Sequence, residues 1–317
     1  MKPLSPPLRG LLVALAAFTA LALLAGPALL RPSRNNHFTH MAQGWLEGRL
    51  ELAANPPGYP RGHDDWGRVW TLTLADGDTL RGYPCRTAAC EQQRRQGVDT
   101  WRRSTGESVE LRRGDIVRRE ARWYVTFPPG PALLILPGVA LWGLAFLDVL
   151  FTALAAALIP ALLVRLLERV RGPGHLREHL WAAAAWTLAS PACFVGAHGS
   201  VWFTAQILGA LFLVLHLDAA WDARQPARAG LWLGLAVACR ISIAFALPFF
   251  LLEWWRSGRR VSTLLRFLAP LAVIGLAMAA LNWQRFDDPL EFGHRYLDIR
   301  WQSRIQTFGM FLSLIHI

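Results

Sequence analysis

Long apolar runs alternate with short basic stretches over most of this chain. One polar, turn-rich stretch, from Arg31 to about Pro131, interrupts that pattern. Leu11 to Leu30 is apolar throughout, and a bilayer core takes about 20 helical residues. A signal peptide shows the same basic-then-apolar order, but this run is of span length and no small-x-small cleavage site follows it. It predicts a first span with a cytoplasmic N-terminus. Pro131 to Val164 is too long for one straight helix and is interrupted at Gly143 to Asp148. That pattern predicts a short helix folded at the outer face, then a second span from about Leu147. Leu180 to Val195 and Val201 to Leu217 predict the third and fourth spans, joined by a tight outer turn at Ala197-His198-Gly199-Ser200. Leu268 to Leu281 leads outward again. The basic connections (Arg165, Arg169, Arg171, Arg177, then Arg224 and Arg228) mark the cytoplasmic side.

Gly230 to Leu252 follows one basic connection and ends at another, at Arg256, Arg259, Arg260 and Arg266. Basic flanks at both ends predict two short helices, in and out again, with an elbow at Cys239-Arg240-Ile241. Interrupted segments at membrane depth are confined to places buried in protein or lining a cavity. An arginine at that depth is costly, which makes Arg240 a candidate site residue. Its partner is either a phosphate or a structural one, Asp148 or a backbone carbonyl.

Within the polar stretch, Asn35 to Leu52 has helical periodicity. Phe38, Met41, Ala42, Trp45 and Leu46 fall on one side, and Asn36, His40, Gln43 and Glu47 on the other. The pattern suits a helix lying in the membrane interface, or a surface helix of an extracytoplasmic domain. Val69 to Leu74 alternates as a strand that leads into a hairpin turn at Ala75-Asp76-Gly77-Asp78. Val109-Glu110-Leu111, Gly114-Asp115 and Arg122 to Phe127 suggest a second strand pair. Cys85 and Cys90 in this loop fit a small disulfide ring in an oxidising compartment. Cys193 and Cys239 lie in apolar runs and read as core residues.

Composition agrees. The chain has 317 residues, 53% hydrophobic and 17% charged, with mean hydropathy +0.27, which is too apolar for a soluble domain. The net charge is +11, almost all from arginine, with Lys2 the only lysine. Basic loops of a membrane protein account for it, and nucleic acid is not indicated. The expected fold is an all-α polytopic membrane protein with a large extracytoplasmic first loop that carries an amphipathic helix and a small β-rich insertion. Four regions are expected: the N-terminus and first span (1–30), the extracytoplasmic loop (31–131), a transmembrane bundle (132–281), and an outer loop starting a further segment (282–317). Phe311 to Ile317 stops inside an apolar run, and its last residues resemble translated sequencing adapter, so a fragment of a longer protein is expected.

Three stretches fit one family pattern: HFTHMAQGWLEGRL after the first span, FPPGPALLILPGVALWG at the second, and GLWLGLAVACRISIAFALPFFLLE with its basic residue. Together they resemble the GT-C-fold membrane glycosyltransferases, in particular bacterial relatives of dolichyl-phosphate-mannose protein mannosyltransferases. NWQRFDDPLEFGHRY is similar to a loop of a bacterial subgroup of them. The resemblance implies sugar transfer from a polyprenyl-phosphate donor to an acceptor at the outer face of the bacterial cytoplasmic membrane. It also implies an acidic general base at the start of the first loop and basic residues on the donor phosphate.

Where that family carries its acid, this chain has Arg34-Asn35-Asn36, and an amide is no base at neutral pH. Asn35 and Asn36 hold the catalytic position, or cap the following helix. The acid would otherwise be Glu47, Glu51, Asp64 or Asp65, with Asp64-Asp65 read alternatively as a solvated turn. Arg240 is expected to bind the donor phosphate, and His40, Trp202 and Gln206 to line the donor pocket. His37, His40 and His63 have a loose metal-like spacing beside interface aromatics; no cofactor or metal is assigned. The partners expected are a polyprenyl-phosphate-linked sugar and membrane lipid. A non-catalytic GT-C-like scaffold and a lipid or solute transporter are the alternatives; duplicated halves, which a transporter often shows, are not evident.

Overall fold

A computed structural model describes residues 5–57, 65–299 and 301–308. In chain order the elements begin with α1 (Pro6–Ala25), α2 (His37–Leu46), β1 (Trp66–Leu74), β2 (Thr79–Pro84) and α3 (Ala88–Arg95). Next come β3 (Val98–Arg103), β4 (Ser108–Arg112), β5 (Ile116–Val125), α4 (Gly130–Trp142), α5 (Asp148–Arg171) and α6 (Leu176–Leu188). The last are α7 (Pro191–His198), α8 (Val201–Ala220), α9 (Pro226–Cys239), α10 (Leu247–Arg256), α11 (Val261–Phe286) and α12 (Gln302–Phe308). The protein is mostly helical, with one antiparallel sheet. It forms two compact units: the chain up to Gln43 with Pro128–Ala277, and Gly44–Phe127 with the chain from Met278. The expected separate region 282–317 therefore has its described part in the same unit as the sheet.

The helical unit holds the apolar runs. Among the described residues, four helical stretches are long and apolar enough to cross a membrane: Pro6–Leu30, Asp148–Arg171, Val201–Ala223 and Val261–Phe286. The expected third span is not straight: α6 and α7 meet at a 57° bend. Ser190 caps α7 by accepting the N–H of Ala192 at 3.1 Å, and Pro191 follows it; a proline suits the first turn of a new helix, not the interior of an old one. Small residues set the packing. Ala153 and Ala156 of α5 are fully buried with Leu21 and Leu208. On α9, Gly230 and Gly234 lie one turn apart against α11. A Cβ at Gly230 would fall 1.9 Å from the Phe267 carbonyl oxygen, so only glycine permits this approach.

Helices α5 and α8 run parallel, as their two ends show. At the C-terminal end Asp218 pairs with Arg165 and Arg169 at 2.6 Å each, and Arg9 pairs with Glu168. At the N-terminal end the hydroxyls of Thr152 and Thr204 meet at 2.7 Å. All the basic residues of these pairs gather at one end of the bundle.

The second unit is built on a five-stranded antiparallel sheet of order β4-β3-β2-β1-β5. The expected alternation at Val69–Leu74 lies in β1, and Val109–Leu111 lies in β4. The expected hairpin turn at Ala75-Asp76-Gly77-Asp78 leads into β2, while β3 and helix α3 lie in stretches assigned no structure from sequence. One sheet face buries Val69, Tyr83 and Tyr124 against Phe286 and Tyr296. The helix expected over Asn35–Leu52 stops at Leu46. Gly48, at φ +71°, ends it, with its N–H on Trp45 O at 3.1 Å and that of Arg49 on Gly44 O at 2.8 Å. This is a Schellman termination, which favours glycine at the positive-φ position. Leu46, expected on the apolar face, is 43% exposed, while His37 and Thr39 are buried beside Phe38, Met41 and Ala42.

Candidate functional site

A group of buried polar contacts in the helical unit lies at the N-terminal ends of α5 and α8. Asp148, only 5% exposed, accepts the Ser33 N–H at 2.7 Å, the Ser33 hydroxyl, and the Val149 N–H at 3.1 Å. Thr152 donates its hydroxyl to Asp148 O at 2.7 Å. Two residues beyond Ser33, the Asn35 carbonyl accepts the first N–H of α8, from Val201, at 2.9 Å. These bonds fix the stretch leading into α2 against both helices. Gly199, at φ +47°, lets the α7–α8 turn come against α5, where a Cβ would lie 2.7 Å from Val149 Cα.

Asn36 starts α2, its carbonyl accepting the Thr39 N–H at 2.9 Å. Burial pushes His37 down to about 4, and burial also lowers His40. Both rings are therefore neutral at pH 7, so the first turn of α2 carries no charge. No group of three or more His, Cys, Asp or Glu among the described residues is placed to hold a metal ion.

Arg240 sits where the apolar segment breaks. Helix α9 ends at Cys239, Arg240 is extended (φ −148°, ψ 110°), and a short 3-10 turn, Ile241–Ala246, leads into α10. At 14 residues α9 reaches about 21 Å, short of the roughly 30 Å of a bilayer core. Arg240 is half-buried. The expected pairing with Asp148 does not form, because Asp148 is taken up by Ser33 and Val149. Among the described residues no carboxylate or carbonyl takes a hydrogen bond from its guanidinium.

The surface beside Arg240 is a stripe of α8. Trp202, Gln206 and Gly209 recur at i, i+4 and i+7 and so share a face. A Cβ at Gly209 would lie 3.5 Å from Arg240 Cγ and 2.5 Å from Ile243 Cδ1. Gln206 is exposed and Trp202 half-buried on that face. From the other side, α4 closes on the elbow: a Cβ at Gly130 would fall 2.7 Å from Ala238 O. Gly209 is thus the α8 residue that meets Arg240, and Gln206 and Trp202 lie further along the same helix face. Gly209 and Gly130, which admit the elbow, were missed, although each is a glycine within an apolar run.

The expected acids lie elsewhere. Glu47 is not on the helix face; it sits in the terminating turn and pairs with Arg49. Glu51 pairs with Arg122 at 3.2 Å. The Asp65 carbonyl lies 3.5 Å from the Thr126 hydroxyl. All three belong to the sheet unit. Asp64 and His63 lie outside the described residues. Cys85 and Cys90 form a disulfide that joins the end of β2 to α3. No known protein family, curated protein or solved structure matches this chain.

Proposed function

We propose that this protein is a membrane glycosyltransferase of GT-C type, which moves a sugar from a polyprenyl-phosphate donor at the outer face of the bacterial cytoplasmic membrane. The observation that carries the reading is Arg240: a half-buried guanidinium at the break of an apolar segment, with no carboxylate bound to it among the described residues. An arginine in such surroundings calls for an anion, and its forked donors suit phosphate oxygens. Gln206 and Trp202 would contact the sugar. As the sugar leaves, the guanidinium would take up the charge that builds on the phosphate. The acceptor hydroxyl would give its proton to a carboxylate acting as general base. Asn35 and Asn36 position α2 and take no proton.

A second reading, a non-catalytic GT-C-like scaffold, is favoured by one observation, the Asn35-Asn36 pair where that family carries an acid. Membranes containing the full chain, given a radiolabelled polyprenyl-phosphate sugar, separate the two. The enzyme reading expects labelled product, which Arg240→Ala abolishes. Donor binding without transfer in the wild type and in Asn35→Asp would select the scaffold. Absence of both binding and transfer would overturn both.

A further inference from the structure

The sheet unit contains a cavity of about 190 Å³ that none of the preceding chemistry uses. Its floor, Arg68, Trp70, Trp101 and Arg119, is part of a ladder of cations and indoles on one face of the sheet. Strand pairing sets Arg68 opposite Trp123, Trp70 opposite Gly82, Pro84 opposite Trp101, and Leu72 opposite Arg119. Residues two apart on a strand share a face, so Arg68, Trp70, Trp101, Arg119 and Trp123 all point the same way. The Arg68 guanidinium lies 5.0 Å from the Trp70 ring and 5.1 Å from that of Trp123. Trp70 meets Trp101 edge-on at 6.1 Å, and Arg119 lies 5.9 Å from Trp101. Gly82 has no side chain to separate the two indoles. Helix α3, stapled by the Cys85–Cys90 disulfide, forms a wall with Glu91 and Arg94.

Charge decides what fits. Arg68, Arg86, Arg94 and Arg119 line the cavity, against Glu91 and Asp99. Asp298 holds Arg68 and Arg86 at 2.6 and 2.8 Å, which fixes those two guanidiniums. Arg94 reaches Glu91 at 2.7 Å, but Arg119 is 3.7 Å from Asp99, beyond a hydrogen bond. Each guanidinium has five N–H donors, and a single carboxylate contact occupies only part of that set. Indole faces with planar, multi-donor side chains around a space for one ring suit an aliphatic ring bearing hydroxyls and an anionic group.

We infer that this cavity binds an acidic saccharide unit, with the sugar ring against Trp70 and its carboxylate or phosphate held by Arg94 and Arg119. The site lies wholly in the sheet unit and does not depend on Arg240. The test is calorimetric titration of the full chain in detergent with glucuronic acid, glucose and inorganic phosphate. Glucuronic acid should bind saturably and at least tenfold more tightly than either of the others. Arg94→Gln and Arg119→Gln, both exposed positions, should each weaken it about tenfold without lowering the unfolding temperature. Arg240→Ala should leave it unchanged, which separates this site from the proposed donor site. No saturable glucuronic acid binding, equal binding of phosphate or glucose, or insensitivity to both substitutions would overturn the inference.

Discussion

Arg285 donates to the Val125 carbonyl at 2.9 Å, and so joins the end of α11 to the last residue of β5. It is 3% exposed, and its other terminal nitrogen donates to Asn282 Oδ1 at 2.7 Å. Its own carbonyl accepts from Arg81 at 2.6 Å. The two separate stretches of the sheet unit are held together by this group of bonds. Arg285→Ala leaves the Val125 carbonyl and the Asn282 oxygen without these donors in a buried place, at a cost of about 3 kcal/mol. Denaturant unfolding followed by circular dichroism should show that loss; an unchanged midpoint would refute this role for Arg285.

Much of the helical unit was legible because span-length apolar runs have few other folds available. The elbow at Arg240 was legible from the basic residues flanking its segment. The bend at Ser190-Pro191 was not, because hydropathy stays high through it; the Ser-Pro pair itself was the signal. Strand β2 was implied by the hairpin turn before it, but β3 (VDTWRR) escaped because its charged residues hide the alternation. Helix α3 (AACEQQRR) has no apolar stripe to read. The end of α2 was readable at Gly48, a glycine just past the last helical turn. Arg240 was singled out by its isolation in an apolar run. Of the partners expected for it, Asp148 is bonded to Ser33 instead, a tertiary contact that sequence does not reveal. The cation–indole ladder depends on strand register, which composition does not reveal.

The cysteines give a second check. With Cys85 and Cys90 bonded, neither should react with a maleimide until a reductant is added. Closing so short a loop stabilises by about 2 kcal/mol in the chain-entropy account, so Cys85→Ser with Cys90→Ser should lower the unfolding midpoint of the sheet unit modestly. Ready labelling without reductant would contradict the disulfide.

Acid should destabilise the fold through its buried histidines. Burial holds His37 and His294 at about 4, below their ordinary 6.5. Above pH 6.5 both are neutral whether folded or unfolded, and their contribution to stability is whole. As pH falls from 6.5 towards 4 the unfolded chain takes up protons that the fold refuses, and stability drops. Unfolding temperature measured from pH 7 to pH 4.5 should fall, and His37→Gln should flatten the curve. An identical slope in that variant would show that His37 does not contribute.

Topology follows from the length of α9. A helix of about 21 Å is too short to cross a bilayer core alone, so the two-short-helix reading puts residues 225 and 258 on one side of the membrane. Reporter fusions should place both inside, with residues 100 and 199 outside. Opposite sides for 225 and 258 would make Gly230–Leu252 a single crossing and remove the elbow.

Donor affinity at Arg240 tests the central claim most directly. Binding of a radiolabelled polyprenyl-phosphate sugar is measured on membranes with the wild-type chain, Arg240→Lys and Arg240→Ala. A fork matched to phosphate oxygens predicts a graded loss: about tenfold for lysine, which keeps the charge but not the bidentate geometry, and a hundredfold or more for alanine. Gln206→Ala should weaken binding less than either. Donor binding that survives Arg240→Ala unchanged would contradict the account.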